Sequence, residues 1–346
     1  MSIQKIAKLA GVSVATVSRV LNNSETVKSK NRARVLDAIR ESNYQPNLLA
    51  RQLRTSRSSM ILVMVSNIAN PFCADVVKGI EEEAEKNGYR ILLCNSGSDI
   101  ERSKSSLGLL SGKIVDGIIT MDAFSKLPEL TAMIGQTPWV QCAEYADAGD
   151  VSCVGISDSE ASEFVIQHLF KRGCQRIALI NHDLSYKYAQ LRERGYNKVI
   201  DQHKARYSAI EYASELSFSA GKAAMEKLLQ APVKPDAVFA VSDTLAAGAL
   251  RAIEEAGLNV PEDVAVIGFD GTELAEMVSP QMTTIVQPSS DIGRHAVSLL
   301  IKKIDNPEAR SEEQTSDSRH EQRAYAGFCA KKKKERATKR TTTTTQ

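Results

Sequence analysis

Residues 6–22 read IAKLAGVSVATVSRVLN, and this stretch decides the fold of the N-terminal end. Ser2 is suited to cap a first helix and Gly11 to end it, because apolar residues recur at helical spacing between them. Ser13 is placed to cap a second helix, whose inward face is predicted to carry Val14, Val17, Val20 and Leu21. Two short helices joined by a glycine-containing turn predict a helix-turn-helix, whose second helix fits a DNA major groove about 12 Å wide.

A third helix is expected from about Lys30 to Ser42. It would close a small core under Tyr44 with Val35, Leu36 and Ile39. For the turn alone, an ordinary connection between two surface helices is an equally good interpretation.

Charge is distributed unevenly along the 346 residues. Residues 1–58 contain 11 basic and 3 acidic side chains, residues 59–309 contain 23 and 34, and residues 310–346 contain 10 and 5, although the formal net charge is only +2. A basic end on an acidic body is typical of a polyanion-binding module joined to a module with another task. We therefore expect the N-terminal helices to bind DNA, with Arg19 forming a bidentate pair with guanine.

Several classes of protein are excluded by what the sequence lacks. The N-terminus has no apolar signal segment, and no apolar run approaches the roughly 20 residues that span a bilayer, so a cytoplasmic protein without a membrane partner is predicted. Six cysteines without a C-x-x-C pair and five histidines without metal spacing predict no metal site and no cofactor. No catalytic constellation is found, since a G-x-S-x-G elbow, a P-loop and a G-x-G-x-x-G turn are all missing. We therefore expect a binding protein and not an enzyme.

Residues 59 to about 305 alternate between short apolar runs and amphipathic stretches. The runs predicted as strands are Met60–Ser66, Arg90–Asn95, Gly117–Thr120, Trp139–Gln141, Arg176–Asn181, Ala237–Ala240 and Val264–Phe269. The predicted helices include Cys73–Lys86, Ser159–Arg172, Ser219–Leu229, Thr244–Ala256 and Ser289–Ile304. Such alternation predicts parallel sheets covered by helices on both faces, with ligands bound beyond the carboxyl ends of the strands. The segment is too long for one such sheet, so we expect two doubly wound α/β lobes with a cleft between them.

Several motifs resemble those of the LacI/GalR family of bacterial repressors. Near the N-terminus they are residues 6–22, Asn43–Asn47 and Ala50–Leu53. In the body they are Asn70–Phe72, Ser242–Leu250, Val260–Val264, Ile267–Asp270 and Pro280–Ile285, which resemble the effector domain that the family shares with periplasmic sugar-binding proteins. Within the family, Asn70–Phe72 and Thr283–Pro288 are most similar to the cytidine-repressor (CytR-like) branch.

The resemblance implies a division of the chain into four parts. Residues 1–46 would form an all-α helix-turn-helix DNA-binding headpiece, and residues 47–58 a hinge helix and linker. Residues 59–309 would form the two-lobed effector-binding and dimerisation domain, with an N-lobe of about 59–157 and 288–309 and a C-lobe of about 158–287. Residues 310–346 would form a polar, basic, disordered tail, because the strand with which the family usually continues onto the second lobe has no counterpart in the sequence.

The resemblance also implies which residues contact DNA. Val14, Ala15 and Arg19 would face base edges, and the small apolar pair Val14-Ala15 suits contact with thymine methyl groups. When the hinges of a homodimer pair on operator DNA, each would insert Leu53 into the minor groove as a wedge. The complete expected set is Ser13, Val14, Ala15, Thr16, Ser18, Arg19, Asn22, Asn47, Ala50, Leu53 and Arg54.

Six cleft residues are expected to bind the effector: Phe72, Asp158, Tyr186, Arg192, Asp243 and Asp270. Phe72 would stack on a sugar or base ring, and Asp270 would accept hydrogen bonds from two sugar hydroxyls. Asp243 is better explained as the cap of a helix starting at Thr244. Either Leu216 or Phe218 would wall the pocket. His182 follows a strand end and could contact the ligand, although a histidine without partners is more often a surface residue.

The predicted function is that of a homodimeric repressor that binds double-stranded operator DNA and responds to a sugar, nucleoside or purine. The alternative from another class is a solute-binding protein of sugar or nucleoside transport. Its lobes would look the same, but the basic headpiece favours the repressor.

Overall fold

The computed structural model describes six segments of the chain, which are residues 2–21, 27–43, 57–122, 128–144, 151–306 and 313–315. The chain divides into two compact units, Met1–Ser59 and Met60–Gln346. Each unit has its own hydrophobic core, so each is described by itself.

The first unit contains three helices, α1 (Ile3–Ala10), α2 (Val14–Leu21) and α3 (Ser29–Ser42). At the start of α1 the Ser2 hydroxyl accepts a hydrogen bond from the Lys5 amide, and Gly11 ends the helix in the left-handed conformation with φ of 60°. The Ser13 hydroxyl accepts from the Thr16 amide at 3.1 Å and so begins α2. Local capping signals therefore set the boundaries of the helix-turn-helix.

A small apolar core holds these three helices together, and its buried residues are Ile6, Ala7, Ala10, Val17, Val20, Val35 and Ala38. The prediction was wrong for Val14 and Leu36, because each is 41% exposed. Val14 is the first residue of α2 and lies off the buried stripe through Val17 and Val20. Leu36 is rotated by about 100° from Val35 around α3, so Ala38 takes the inward position expected of it.

The second unit contains two parallel sheets, each the centre of a lobe. The first sheet has the order β11-β5-β4-β3-β1-β2 and consists of β1 (Met60–Val65), β2 (Arg90–Asn95), β3 (Gly117–Met121), β4 (Trp139–Cys142), β5 (Ser152–Gly155) and β11 (Glu313–Thr315). Its helices are α4 (Pro71–Lys86), α5 (Ile100–Ser111), α6 (Pro128–Ile134) and α12 (Ser289–Asp305). Alternate residues of β1 belong to different cores, with Ile61 and Val63 in one and Leu62 and Met64 in the other. Both faces of this sheet are therefore buried, as the apolar run 60–65 predicts.

The second sheet has the order β10-β9-β8-β6-β7 and consists of β6 (Ile177–Asn181), β7 (Ala209–Tyr212), β8 (Ala237–Ala240), β9 (Ala265–Asp270) and β10 (Thr283–Val286). Its helices are α7 (Asp158–Lys171), α8 (Lys187–Gln202), α9 (Phe218–Gln230), α10 (Asp243–Glu255) and α11 (Leu274–Met277). All described strand pairs are parallel. The predicted fold class, a helical headpiece followed by two doubly wound α/β lobes, is confirmed.

The chain passes from the first lobe to the second between Gly155 and Asp158, and it returns between Val286 and Ser289. The residues between these strand and helix ends are the two crossings between the lobes. Among the described residues, none of the helices is both long and apolar enough to cross a bilayer.

The tail differs from its prediction at one place. Glu313–Thr315 forms β11, which pairs in parallel with Cys153–Gly155 of β5 and extends the sheet of the first lobe. The expectation of a tail without a strand was therefore wrong for these three residues. Their sequence, Glu-Gln-Thr, has no apolar pattern, because an edge strand needs only backbone hydrogen bonds to join a sheet.

Candidate functional site

The second helix of the first unit presents a polar and small-residue face to solvent. Ser13, Val14, Ala15 and Arg19 are exposed, while Thr16 and Ser18 are half-buried beside them. Buried Val17 and Val20 hold the opposite side of the helix in the core. This geometry leaves the expected base-reading side chains free of the core, as insertion into a groove requires. The other expected DNA contacts lie outside the described residues: Asn22, Asn47, Ala50, Leu53 and Arg54.

The second unit contains a cavity of about 350 Å³ between its lobes. It is lined by residues that end or follow strands of both sheets, which is where open α/β sheets bind ligands. Of the six expected effector residues, Phe72, Tyr186, Arg192 and Asp270 line it, whereas Asp158 and Asp243 do not. Leu216 is also in the lining, while Phe218 is not and is 48% exposed.

Arg192 is the centre of a buried polar cluster at one end of the cavity. Its Nε donates to Asp158 Oδ1 at 2.8 Å, and its Nη1 donates to the carbonyl oxygen of Val241 at 2.5 Å. The guanidinium carbon lies 3.6 Å from the centroid of the Phe269 ring. A guanidinium held by two hydrogen-bond acceptors and an aromatic face is fixed in position before any ligand arrives.

Asp270 lies beside this arginine, with its Oδ1 3.9 Å from Arg192 Nη1. The same oxygen accepts a hydrogen bond from Gln287 Nε2 at 2.9 Å. The residue has a φ of 115°, a strained conformation for a side chain other than glycine. Burial raises the pKa of Asp270 well above its usual range, and the positive charge of Arg192 opposes that rise. The strained backbone and the buried carboxyl in the cavity lining make Asp270 a candidate binding residue.

Asp158 has a different role from the one expected. It is the first residue of α7 and is buried behind Arg192, where burial raises its pKa and the Arg192 guanidinium lowers it. It therefore positions the arginine and does not face the cavity.

Asp243 joins the start of α10 to the ends of β9 and β10. Its Oδ2 accepts from the Thr272 amide at 2.7 Å and from the Thr272 hydroxyl at 2.9 Å, and its Oδ1 accepts from the Thr284 hydroxyl at 2.5 Å. Burial raises the pKa of Asp243 to about 6, against the effect of these hydrogen bonds. Because its oxygens are used within the protein, Asp243 is a structural clamp, which corrects the expected effector contact.

An aromatic wall faces the cavity from the second lobe. The His182 ring stacks on the Tyr186 ring with centroids 4.7 Å apart, and His182 Nδ1 lies 2.6 Å from the Tyr188 hydroxyl. His182 is buried and lines the cavity, so the surface position was wrong and the alternative given by its place after a strand agrees with the structure. Desolvation by burial lowers its pKa, which favours the neutral imidazole near pH 7.

Several lining residues were not anticipated from the sequence. The first lobe contributes small polar side chains, and the second contributes residues of the loops after its strands. These residues are Ser66, Asn67, Asn70, Asn95, Ser98, Glu144, Tyr188, Ser214, Glu215 and Gln287. Tyr188 lies in α8 and Asn95 is the last residue of β2, whereas the others lie in loops near strand or helix ends, so the strand assignment could have indicated most of them.

Two parts of the chain match known protein families. Residues 2–47 match the model of bacterial regulatory proteins of the lacI family, and residues 166–323 match that of a periplasmic binding protein-like domain. The ribose operon repressor of Escherichia coli (strain K12) is 34% identical over 309 residues, which cover 88% of this chain and 94% of that protein. The chain belongs to the LacI family.

Two solved LacI-family structures support the same conclusion. The lac repressor dimer bound to operator and an anti-inducer has a TM-score of 0.81 at 28% identity, covering 91% of this chain and 96% of that chain. A LacI family regulator from Enterococcus faecium with bound ribose has a TM-score of 0.68 at 28% identity, covering 74% of this chain and 94% of that chain.

Membership of the LacI family decides between the predicted classes. The chain is a DNA-binding transcriptional repressor controlled by a small-molecule effector, and it is neither an enzyme nor a transport protein, because the match extends over both units. The family match also reaches residue 323, beyond residue 310 where the resemblance was expected to stop.

Proposed function

We propose that this LacI-family protein represses transcription in the cytoplasm as a homodimer, and that its effector is an uncharged ligand containing a pentose ring. The observation that carries the proposal is the buried pair of Arg192 and Asp270 at the end of the cavity. The dimer is supported by the lac repressor dimer, and the pentose by the ribose bound to the Enterococcus faecium regulator.

The pair has the chemistry that recognises neighbouring hydroxyl groups. Asp270 Oδ1 accepts from Gln287, whereas its Oδ2 makes no hydrogen bond with the described residues. A carboxylate accepts from two hydroxyls of one sugar, and a guanidinium donates to a third oxygen. The rings of Phe72 and Tyr186 in the same cavity offer faces for the apolar side of a sugar or for a nucleobase.

The charge of the cavity favours an uncharged ligand. Glu144, Glu215 and Asp270 line it, and Arg192 is the one cationic side chain among the described lining residues. That arginine is already paired with Asp158. A phosphate group would enter a site where carboxylates outnumber free positive charge, so phosphorylated sugars and nucleotides are expected to be excluded.

Titration calorimetry on the full chain tests the effector class. We expect D-ribose or the nucleoside cytidine to bind, and ribose 5-phosphate to bind at least about 100-fold more weakly than ribose, because a single unfavourable charge pair near a protein surface costs up to about 4 kcal/mol at 4 Å. Tighter binding of ribose 5-phosphate than of ribose would contradict the proposal, as would binding of neither ribose nor cytidine. Free purines and hexoses are the comparison ligands.

The DNA-binding role is assigned by the exposed face of α2. We propose that residues 1–46 form the headpiece and that 47–58 form the hinge, with Leu53 as the minor-groove wedge. The two-lobed part would then comprise an N-lobe of about 59–157 and 288–309 and a C-lobe of about 158–287. The exposure of Val14, Ala15 and Arg19 supports this assignment.

Replacing Arg19 with alanine is expected to cost about 1–3 kcal/mol of binding at its guanine and to relax specificity at that base pair. The reason is the loss of two hydrogen bonds to one base edge. An operator selected from random DNA, followed by binding assays on single-base variants, measures the effect. Arg40→Ala is the control, because it removes the same charge from the exposed side of α3. If both variants lose affinity equally and keep the same base preference, Arg19 does not read a base.

A further inference from the structure

Glu144 reaches across the cleft from the first lobe and caps a helix of the second lobe. Its Oε1 accepts a hydrogen bond from the Lys187 amide at 2.6 Å, and its Oε2 accepts from the Tyr188 amide at 3.3 Å. Lys187 and Tyr188 are the first two residues of α8, whereas Glu144 follows β4 of the other sheet. Two backbone amides of one lobe are thus satisfied by a carboxylate of the other.

The start of α8 has no cap of its own. Tyr186 occupies the N-cap position and its side chain makes no capping hydrogen bond. Two other helices that start beside the cavity are capped by side chains of their own lobe, α4 by Asn70 and α10 by Ser242. A carboxylate is the favoured partner for the positive end of a helix, so Glu144 supplies here what the local sequence omits.

The backbone before Glu144 is bent to deliver this side chain. Ala143 has a φ of 62°, which is strained for alanine, and the Glu144 amide donates to the Cys142 carbonyl at 2.7 Å. The Ala143 amide donates to Val154 of the neighbouring strand, which fixes the bend to the sheet. The strained residue lies at the end of the sheet beside the cleft, and the bend directs the buried Glu144 carboxylate across it.

The start of the capped helix contributes three of the residues that line the cavity. Tyr186, Tyr188 and Arg192 lie within its start and line the cavity together with Glu144. The hydroxyls of Ser98 and Tyr186 add a second bond between the lobes, at 2.7 Å. The helix start can be capped by Glu144 only while the lobes are closed, so closure, capping and the placement of the ligand contacts occur together.

We propose that Glu144 is the closure latch of this protein: a positioning residue whose bond to the start of α8 links effector binding to closure of the two lobes. An effector that contacts both lobes stabilises the closed state, and the hydrogen bonds of Glu144 stabilise the same state. By linkage, a variant without the latch must bind effector more weakly even if every ligand contact is intact. The part of this proposal that concerns effector binding rests on the proposed pentose ligand.

Hydrogen exchange and small-angle X-ray scattering on the full chain without ligand test the latch directly. In Glu144→Ala we expect the Lys187 and Tyr188 amides to exchange at least about tenfold faster than in the original protein, because their acceptor is lost. We also expect a larger radius of gyration. Glu144→Gln keeps one acceptor oxygen and should be intermediate for both.

Asp236→Ala is the matched control for Glu144→Ala. Asp236 also accepts hydrogen bonds from two backbone amides, those of Gln175 and Arg176, but all three residues belong to the second lobe. This variant should lose protection only at 175–176 and keep the original radius of gyration.

Calorimetric titration with D-ribose then separates the possible roles of Glu144. The latch predicts at least about tenfold weaker binding in Glu144→Ala, a smaller loss in Glu144→Gln and none in Asp236→Ala. Weaker binding with unchanged amide exchange and radius of gyration would overturn the latch and make Glu144 a plain ligand contact. Unchanged exchange at Lys187 and Tyr188 in Glu144→Ala would overturn it as well. If D-ribose fails to bind the original protein, the proposed effector is wrong, and the ligand-free measurements still decide on the latch.

Discussion

Replacing Arg192 with methionine is expected to lower the free energy of unfolding of the two-lobed unit by about 3–5 kcal/mol and to abolish effector binding. The stability loss comes from the two carboxylates that the arginine serves. Asp158 and Asp270 are both buried, and the Arg192 charge opposes the rise of pKa that burial causes in each. Without that charge, neither buried carboxyl has its cationic partner, and among the described residues the Asp270 side chain keeps only its hydrogen bond from Gln287.

Urea denaturation followed by circular dichroism measures the stability loss, and calorimetry with D-ribose measures the loss of binding. Arg294→Met is the control for a lost ion pair, because Arg294 pairs with Asp291 and Glu82 on a more exposed surface and should cost less than about 1 kcal/mol. The double variant with Arg192→Met and Asp158→Asn should recover part of the stability, since one uncompensated charge is gone, but none of the binding. A double variant no more stable than Arg192→Met would show that the cost lies elsewhere, for example in the lost packing on Phe269.

Much of this architecture is predictable from local sequence signals. Strands of the buried sheets are continuous apolar runs such as 60–65 and 177–181, and several helix starts carry their caps in the sequence, as Ser13 does for α2. The strand ends, together with the family resemblance for Tyr186 and Arg192, indicated four residues that line the cavity: Phe72, Tyr186, Arg192 and Asp270.

The residues that were misassigned depend on contacts that the sequence does not display. Asp158 and Asp243 have the same chemical type and similar placement to Asp270, yet their oxygens are used by Arg192 and by two threonines. Glu144 was missed because its partners are 43 and 44 residues away in the other lobe. The apolar pattern of the sequence indicates which residues lie at strand ends. The packing of the two lobes determines which of those residues face the cavity.

Replacing Gly248 with alanine is expected to lower the free energy of unfolding by about 1–3 kcal/mol, although alanine is the better helix former. Gly248 lies in α10 where that helix crosses α9. A Cβ at this position would lie 2.1 Å from the Phe218 carbonyl oxygen and 2.5 Å from the Lys222 amide nitrogen. Both atoms belong to the backbone of α9, so the two helices must separate to admit a methyl group.

The same crossing has a glycine on the opposite helix. A Cβ at Gly221 of α9 would lie 2.2 Å from the Leu245 carbonyl oxygen, so each helix presents a bare backbone to the other. Separation would also move the start of α10, which carries the Asp243 clamp. The Val241 carbonyl that accepts from Arg192 lies two residues before that start. We therefore expect Gly248→Ala to weaken D-ribose binding as well as stability.

Gly108→Ala provides the matched control, because Gly108 lies within α5 and a Cβ there has no neighbour within 4 Å among the described residues. That substitution should raise the free energy of unfolding by about 0.5–1 kcal/mol through the ordinary helix preference for alanine. Urea denaturation of the two variants should therefore give midpoint shifts of opposite sign. A shift to higher urea in both would mean that α9 and α10 can move apart without loss of stability. The close contact at Gly221 and Gly248 would then not be needed to hold the Val241 carbonyl against Arg192.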